Sequence, residues 1–344
     1  MTGELRYGIV GCAGVGGSHA RAVNAADGAS LVACCDIDGE EAKKFADEYD
    51  LGATYTDIGQ MIEESDIDAV SVCTPSGTHA DVVEDVATAG AHVLCEKPLD
   101  VYAERINRMI SACEDAGVTL AGVFQRRFDP LNRAAKAVIE EGNLGDPVLG
   151  DVHVKWFRPQ AYYDSAGWRG TRDMDGGCMM NQGIHDIDRL QWLVGDVESV
   201  MAYTDTLDRD LDCEDTAAVA LRFENGALGT IEATTAVKGG TDHLSVNGTE
   251  GSLAIRDGDI NCVVGTGEES RYSAETETLE LEGRPHPCGE NHEGVVQDFV
   301  SALDEGREPE VPATAAREAV DIILAAYRSS DTGEPVYLDD LRSE

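Results

Sequence analysis

The chain has 344 residues, 42% of them hydrophobic, and is long enough for two domains that each bury a core. It carries 66 acidic residues against 26 Lys and Arg, a formal net charge of −40, which argues against nucleic acid and anionic membranes as partners. No apolar stretch is long enough to cross a bilayer and no basic-then-apolar leader is present, so we expect a cytoplasmic protein.

The first part of the chain alternates short apolar runs with helical stretches. This alternation predicts a parallel sheet with helices on both faces, which we place at residues 1–127. The predicted strands are Arg6–Val10, Ser30–Asp36, Ala69–Cys73, His92–Cys95 and Thr119–Val123. The predicted helices are Ser18–Ala26, Gly39–Tyr49, Ile58–Glu63, His79–Ala89 and Ala103–Ala116.

The pattern changes near Phe128: after a predicted helix, Leu131–Glu141, polar and apolar residues alternate. This period of two predicts a large, mostly antiparallel open sheet in an α+β substrate domain, residues 128–344, whose last helix could pack back on the first domain. The predicted strands are Val148–Phe157, Glu198–Asp205, Thr216–Glu224, Ala227–Ala236, His243–Gly248 and Gly251–Arg256. The predicted helices are Leu131–Glu141, Cys178–Leu193, Glu293–Glu305 and Thr314–Ser330.

A glycine-rich turn, Gly11-Cys-Ala-Gly-Val-Gly16, follows the first predicted strand. Missing side chains let the backbone approach a pyrophosphate, and the next helix offers its N-terminal N–H groups. Asp36, after the second strand, can accept hydrogen bonds from the adenosine ribose. No Lys or Arg follows it before Lys43, which favours NAD, with NADP as the alternative. Ala13 replaces the usual second glycine of this motif, and a tight turn that binds no ligand is the alternative interpretation. The predicted cofactor residues here are Gly11, Ala13, Gly14, Val15, Gly16 and Asp36.

Two further polar turns, Thr74–His79 and Glu96–Pro98, end other predicted parallel strands. Ligands of such sheets bind beyond the carboxyl ends of the strands, so we expect the three turns to border one crevice. Lys97 is our candidate for holding a reacting oxygen. The alternative is a surface lysine paired with Glu96.

His185 is the candidate acid–base group, because imidazole exchanges protons near neutrality. Asn181 and Asp188 would share its face in a regular helix, and we expect a structural role for Asp188. A hydrogen-bonded structural histidine is the alternative for His185. Since His19 and His79 belong to no ligand-spaced cluster, we predict no metal site.

Aromatic residues alternate with arginines between Trp156 and Arg169. Aromatic faces suit the C–H surfaces of sugars, and guanidinium groups suit carboxylate or phosphate. Arg158 and Tyr163 are therefore predicted to contact substrate, and Trp168 and Arg169 to contact cofactor or substrate. Packing is the alternative for Trp156 and the tyrosines.

Together these segments resemble the Gfo/Idh/MocA family, the glucose–fructose oxidoreductase and inositol dehydrogenase group, over nearly the whole chain. The resemblance rests on Gly11–His19, Thr74–His79, Glu96-Lys-Pro98, Arg126–Pro130 and Gly176–Asp188. It implies a Rossmann domain followed by an open-sheet domain often used for oligomerisation, and hence a homodimer or homotetramer. It implies that Lys97 contacts both the reacting hydroxyl and the cofactor. It also implies cofactor-proximal or structural roles for His19 and His79, cofactor contacts for Thr74, Pro75, Ser76 and Glu96, and a substrate contact for Arg127. Asn181 is expected either to orient His185 or to bind a substrate hydroxyl.

The family resemblance implies an NAD(P)-dependent dehydrogenase acting on a secondary hydroxyl of a sugar, inositol or nucleotide sugar. The stretch from Trp156 to Arg169, with Met180–His185, looks like the branch that oxidises UDP-N-acetylhexosamines or their uronates at C3. Family members commonly carry Asp at the Asn181 position, so this chain departs from the pattern there. The alternatives are a glycosidase that oxidises C3 transiently and a cofactor-binding sensor, although retention of both Lys97 and His185 speaks against a sensor.

The acidic residues are spread along the chain, which is typical of adaptation to molar salt, where the Debye length is about 3 Å. We therefore predict a halophilic source. The free energy of unfolding, measured in urea, is expected to rise between dilute buffer and molar KCl; full stability in dilute buffer would contradict this. Ten scattered cysteines without C-x-x-C pairs predict buried free thiols.

Overall fold

The computed structural model describes residues 4–256, 259–264 and 292–343. Their contacts group them into two units. The first unit holds the described residues of 1–125 and 289–317, and the second holds those of 126–288 and 318–344. The division predicted at residues 127 and 128 assigns 292–317 to the second domain, whereas this segment packs with the first unit.

The first unit is built on a parallel sheet of six strands in the order β3-β2-β1-β4-β5-β6. The strands are β1 (Leu5–Val10), β2 (Ala29–Cys35), β3 (Ala53–Tyr55), β4 (Ala69–Val72), β5 (His92–Cys95) and β6 (Leu120–Gly122). The helices are α1 (Gly16–Ala25), α2 (Gly39–Tyr49), α3 (Ile58–Ser65), α4 (His79–Thr88), α5 (Ala103–Ala116) and α9 (His292–Glu305). The predicted parallel sheet is confirmed, with β3 added.

The strand order reverses between β1 and β4, which is where ligands of such sheets bind. β1, β4 and β5 are neighbours, so the turns that follow them meet at one edge, as predicted. The strands carry continuous apolar runs because both faces are covered; Val70, Val72 and Leu94 have no exposed surface.

The second unit is built on a mixed sheet of eight strands in the order β13-β12-β11-β7-β10-β9-β8-β14. β7 and β10 pair in parallel, and the other pairs are antiparallel. The strands are β7 (Pro147–Lys155), β8 (Val197–Asp205), β9 (Thr216–Phe223), β10 (Leu228–Thr234), β11 (His243–Gly248), β12 (Gly251–Arg256), β13 (Asp259–Val264) and β14 (Val336–Tyr337). The helices are α6 (Pro130–Glu140), α7 (Gln160–Tyr163), α8 (Ile184–Val194), α10 (Ala313–Thr332), within which the two units divide, and α11 (Leu338–Arg342).

One face of this sheet packs against α8. Gly150 permits the approach, since a Cβ there would lie 2.8 Å from Val194 and 3.0 Å from Leu190. The side chains of Leu149 and Leu228, which pair across β7 and β10, are exposed, as alternation requires. The predicted homodimer or homotetramer remains a prediction.

The cysteines described are all free, and all but Cys262 are buried, as predicted. Among the described residues, the helices include none with the length and apolar character needed to cross a membrane. The cytoplasmic location remains a prediction.

Candidate functional site

The glycine turn after β1 needs its first and last glycines. Gly11 has a φ of +95°, and a Cβ there would lie 2.7 Å from the Cys73 carbonyl carbon. A Cβ on Gly16 would lie 2.4 Å from the Gly11 oxygen. Ala13 is exposed, so its methyl group fits without distorting the turn. Within the described chain the N–H groups of Gly14 and Val15 make no hydrogen bond, so the turn fits a pyrophosphate.

Asp36 lies beside this turn and helps to shape it. One carboxylate oxygen accepts a hydrogen bond from the Cys12 N–H at 2.8 Å, and the other accepts one from the Asp38 N–H at 2.9 Å. Each oxygen keeps a lone pair for another donor. A ribose hydroxyl at this edge would therefore meet a carboxylate that is already held in place.

Glu96 is buried and is engaged by groups of its own unit. Its Oε1 lies 3.0 Å from His19 Nε2 and 3.1 Å from His292 Nε2, while Oε2 accepts the Lys97 N–H at 3.0 Å. Although burial opposes ionisation, the hydrogen bonds from the two histidines hold the pKa of Glu96 well below its usual range. Its carboxylate thus holds the backbone at Lys97, and the cofactor contact of Glu96 remains a prediction.

Two imidazoles and a carboxylate that converge in this way could also hold a metal ion. Two N–H donors sharing one carboxylate oxygen account for the same distances. Burial lowers the pKa of His19, which keeps its ring neutral, and its Nδ1 lies 2.8 Å from the Ser71 hydroxyl. We assign the cluster to holding the Lys97 turn, and the absence of a metal remains a prediction.

His79 is committed to the backbone of two turns. Its Nδ1 lies 2.8 Å from the Pro98 carbonyl oxygen and its Nε2 lies 2.8 Å from that of Thr74. The ring is buried. The ring thus ties the turn after β4 to the turn after β5, which fits the structural alternative for His79, and its cofactor contact remains a prediction. Direct cofactor contacts by Thr74, Pro75 and Ser76 remain predictions.

His185 lies in the first turn of α8, and the residues before α8 form a π-helical turn, Cys178–Gly183, which we call the π-turn. The regular spacing assumed from the sequence therefore does not apply between Asn181 and His185. Asn181 donates through Nδ2 to the buried carboxylate of Asp175 and accepts from Gln182 Nε2 at 3.1 Å. Asp175 thus places a carboxylate next to the side-chain amide of Asn181. π-helical turns are frequent at functional sites.

Arg127 forms a buried ion pair with Asp188. Its Nε and Nη2 donate to the two carboxylate oxygens at 2.9 and 2.5 Å. This bidentate geometry engages Nε and Nη2 of the guanidinium and favours a structural role for Arg127, and its substrate contact remains a prediction. The ion pair favours the structural role expected of Asp188, which remains a prediction.

Arg158, Tyr162, Trp168 and Arg169 form what we call the arginine–tyrosine cluster. The guanidinium groups of Arg158 and Arg169 lie 5.2 and 4.5 Å from the Tyr162 ring centroid, and Arg169 also lies 4.5 Å from the Trp168 ring. Within the described chain, neither arginine has a carboxylate partner, and the Nε atoms of both are buried without a hydrogen bond. Arg169 also donates through Nη1 to the Tyr162 hydroxyl at 2.6 Å. The cluster thus places two positive charges beside one ring, a chemistry that suits an anion.

Tyr163 was predicted to contact substrate. Its side chain is buried, and its hydroxyl donates to the Thr235 hydroxyl at 2.8 Å. Its neighbour Tyr162 is half-buried and lies in the arginine–tyrosine cluster, and the substrate contact of Tyr163 remains a prediction. Two neighbouring tyrosines could not be told apart by sequence, because a four-residue helix leaves no periodic pattern.

Two family models and several known proteins match this chain over most of its length. A model of an oxidoreductase family with an NAD-binding Rossmann fold matches residues 5–124, and a model of the GFO/IDH/MocA C-terminal domain matches residues 132–254. The chain is 30% identical to a D-xylose 1-dehydrogenase (NADP(+)) of Haloferax volcanii, over 97% of this chain and 100% of the relative. It is 29% identical to a myo-inositol 2-dehydrogenase of Thermotoga maritima, over 98% and 99%. The WlbA dehydrogenase of Bordetella pertussis, solved with NADH and UDP-GlcNAcA, is 32% identical over 97% of this chain and 98% of that chain, with a TM-score of 0.86.

Proposed function

This chain belongs to the Gfo/Idh/MocA family of NAD(P)-dependent oxidoreductases, and we propose that it oxidises a secondary hydroxyl of an anionic nucleotide sugar, foremost C3 of a UDP-N-acetylhexosamine or its uronate. The observation that carries the proposal is the arginine–tyrosine cluster, whose two guanidinium groups lack carboxylate partners in the described chain. A diphosphate or a uronate carboxylate would supply the missing charge. The WlbA structure, solved with UDP-GlcNAcA, gives further support.

The proposed roles are assigned residue by residue. When bound, NAD supplies the acceptor for the hydride that leaves the carbinol carbon. Lys97, held by its backbone hydrogen bond to Glu96, donates to the substrate oxygen as that oxygen becomes a carbonyl. His185 takes the hydroxyl proton, and Asn181, braced by Asp175, binds a neighbouring hydroxyl.

The proposal is tested with UDP-GlcNAcA, UDP-GlcNAc, D-xylose and myo-inositol, each with NAD and NADP at molar salt, following the absorbance of the reduced cofactor. We expect kcat/KM to be highest for UDP-GlcNAcA. Arg158→Met and Arg169→Met should each lower that value by about tenfold or more, the worth of a charge-assisted hydrogen bond, and leave the neutral sugars unaffected. The exposed Arg222 is the control for loss of a positive charge. A preference for neutral sugars would overturn the substrate assignment.

The same assay separates dehydrogenase from glycosidase. Reduced cofactor that accumulates in proportion to oxidised sugar indicates net dehydrogenation. Release of a glycosidic product without net reduced cofactor would indicate transient oxidation followed by elimination.

Asp36 should decide the preference for NAD. Asp36→Asn is expected to raise the KM for NAD by about tenfold, because a charge-assisted hydrogen bond to the ribose is weakened, and to lower the KM for NADP by removing repulsion of its phosphate. Asp38→Asn is the matched control, since Asp38 only caps α2 through the Glu40 N–H. Unchanged KM values in Asp36→Asn would mean that this carboxylate does not face the ribose.

A further inference from the structure

The proposed mechanism leaves one buried acid of the second unit unused. Glu214 lies between β8 and β9 and contacts two other segments of the chain. Its Oε1 accepts hydrogen bonds from the Met179 N–H at 2.9 Å and the Tyr327 hydroxyl at 3.1 Å. Its own carbonyl oxygen accepts the Cys178 N–H at 2.9 Å. Both acceptors thus face the first N–H groups of the π-turn, which have no partner within that turn.

Gly177 shows how closely this carboxylate approaches the π-turn. A Cβ on Gly177 would lie 1.7 Å from Glu214 Oε2 and 2.0 Å from the carboxylate carbon, which no side chain could tolerate. The backbone at Gly177 is in an ordinary extended region, with φ of −95° and ψ of −159°. Glycine is therefore needed there to make room for Glu214, and its conformational freedom is not required.

From these contacts we infer that Glu214 is a positioning residue for catalysis: with Tyr327, it holds the start of the π-turn so that Asn181 and His185 are presented in their working geometry. The inference rests on the proposed function for the roles of Asn181 and His185. Glu214 acts through the backbone of Cys178 and Met179.

The surroundings of Glu214 make its ionisation costly. Burial raises the pKa of Glu214 from 4.5 to about 7. The titratable groups against it are Cys178 of the π-turn, Cys213 of its own loop and Tyr327 of α10, and burial raises the pKa of each. They stay protonated near neutrality, so the Tyr327 hydroxyl remains a donor to the carboxylate.

The sign of the resulting pH dependence follows from linkage. The folded pKa of Glu214 exceeds the unfolded value, so its contribution to the free energy of unfolding is full below about 4.5 and is lost as the pH rises through about 7. The ionised carboxylate accepts hydrogen bonds more strongly than the neutral acid does. Above pH 7 the ionised Glu214 carboxylate therefore holds the π-turn more firmly but lowers the free energy of unfolding. Such a loss of stability in favour of function is typical of functional positions.

The first experiment compares Glu214→Gln with wild type at pH 8, using UDP-GlcNAcA and NAD. We expect kcat to fall by about tenfold to a hundredfold through misplacement of the π-turn, with the KM for NAD unchanged. The urea midpoint should not fall, because the substitution removes a buried charge. In the wild type, kcat should fall as the pH drops through about 7, because Glu214 becomes protonated. This fall should be smaller in Glu214→Gln, which has no carboxylate to protonate at this position. An unchanged kcat, or a loss of kcat that only follows a lower urea midpoint, would overturn the inference.

Hydrogen exchange provides a readout that does not depend on the substrate. Amides of residues 178–183 should exchange at least about tenfold faster in Glu214→Gln, because a capping hydrogen bond is weakened. If no sugar is oxidised by the wild type but exchange accelerates, the proposed function fails while the positioning contact stands. Unchanged exchange would overturn the positioning contact itself.

A double-mutant cycle tests the contact with Gly177. Gly177→Ala should lower kcat at least about tenfold in the wild-type background but have little further effect beside Glu214→Ala, which removes the clash. If Gly177→Ala does not fold, recovery of folded protein in the double variant is the readout. Effects that simply add would contradict the contact. Glu318→Gln is the matched control: this half-buried acid of α10 also has a pKa raised by burial but pairs with Arg342, so its loss should leave kcat unchanged.

Discussion

Lys97→Met is expected to lower kcat by about a hundredfold to ten-thousandfold, the range found when a donor to a developing oxyanion or a proton-transfer group is lost. Methionine keeps the apolar stem of the side chain but cannot donate to the substrate oxygen. The hydrogen bond between the Lys97 N–H and Glu96 uses only the backbone and should survive. Initial rates with saturating NAD and sugar provide the measurement.

Binding of the reduced cofactor, followed by its fluorescence, separates chemistry from folding in this variant. The dissociation constant should change by less than about tenfold, since the loss is directed at the reacting oxygen rather than at the pyrophosphate turn. Lys44→Met is a surface control, because Lys44 only pairs with Glu41 on α2. A Lys97→Met variant that binds cofactor and keeps its activity would refute the assigned role.

Asp188→Ala is expected to lower the free energy of unfolding by about 3–5 kcal/mol, because it removes the carboxylate that accepts two hydrogen bonds from the buried Arg127 guanidinium. That is a large share of the stability of a typical domain. The measurement is urea unfolding at constant salt. Arg127→Met with Asp188→Leu should recover most of the loss, since a buried pair can be replaced by apolar groups of similar volume.

The single variant Arg127→Met decides whether Arg127 is a structural residue or a substrate ligand. If Arg127 were a substrate ligand, Arg127→Met would raise the KM for the sugar and leave the urea midpoint unchanged. We expect the midpoint to fall. Glu305→Gln, which breaks an exposed pair with Arg307, should hardly change the midpoint and provides the control.

The parallel sheet was predictable because its strands are short apolar runs separated by helices with regular periodicity. β3 was missed because Ala53–Tyr55 is too short to show alternation. The glycine turn, Asp36 and the Glu96-Lys97 turn could be proposed as ligand positions because each follows a strand, and ligands of parallel sheets bind at that edge.

What the sequence could not reveal are the partners that come from distant segments. Nothing near His292 in the sequence marks it as a partner of Glu96, and Gly177 reads as an ordinary helix-opening glycine until the Glu214 carboxylate is seen beside it. Arginines pose the same difficulty: Arg127 and Arg158 look alike in sequence, but one has a carboxylate on an adjacent helix and the other has none in the described chain.

The contact between His292 and Glu96 also bears on how the protein is made. The two residues are separated by 196 positions, so a ribosome adding 5–20 residues per second reaches His292 about 10–40 s after Glu96. Throughout that interval the nascent sheet of the first unit holds a carboxylate with only one of its two imidazole partners. The cofactor-binding half of the enzyme therefore cannot reach its final form during synthesis until most of the other half has been translated.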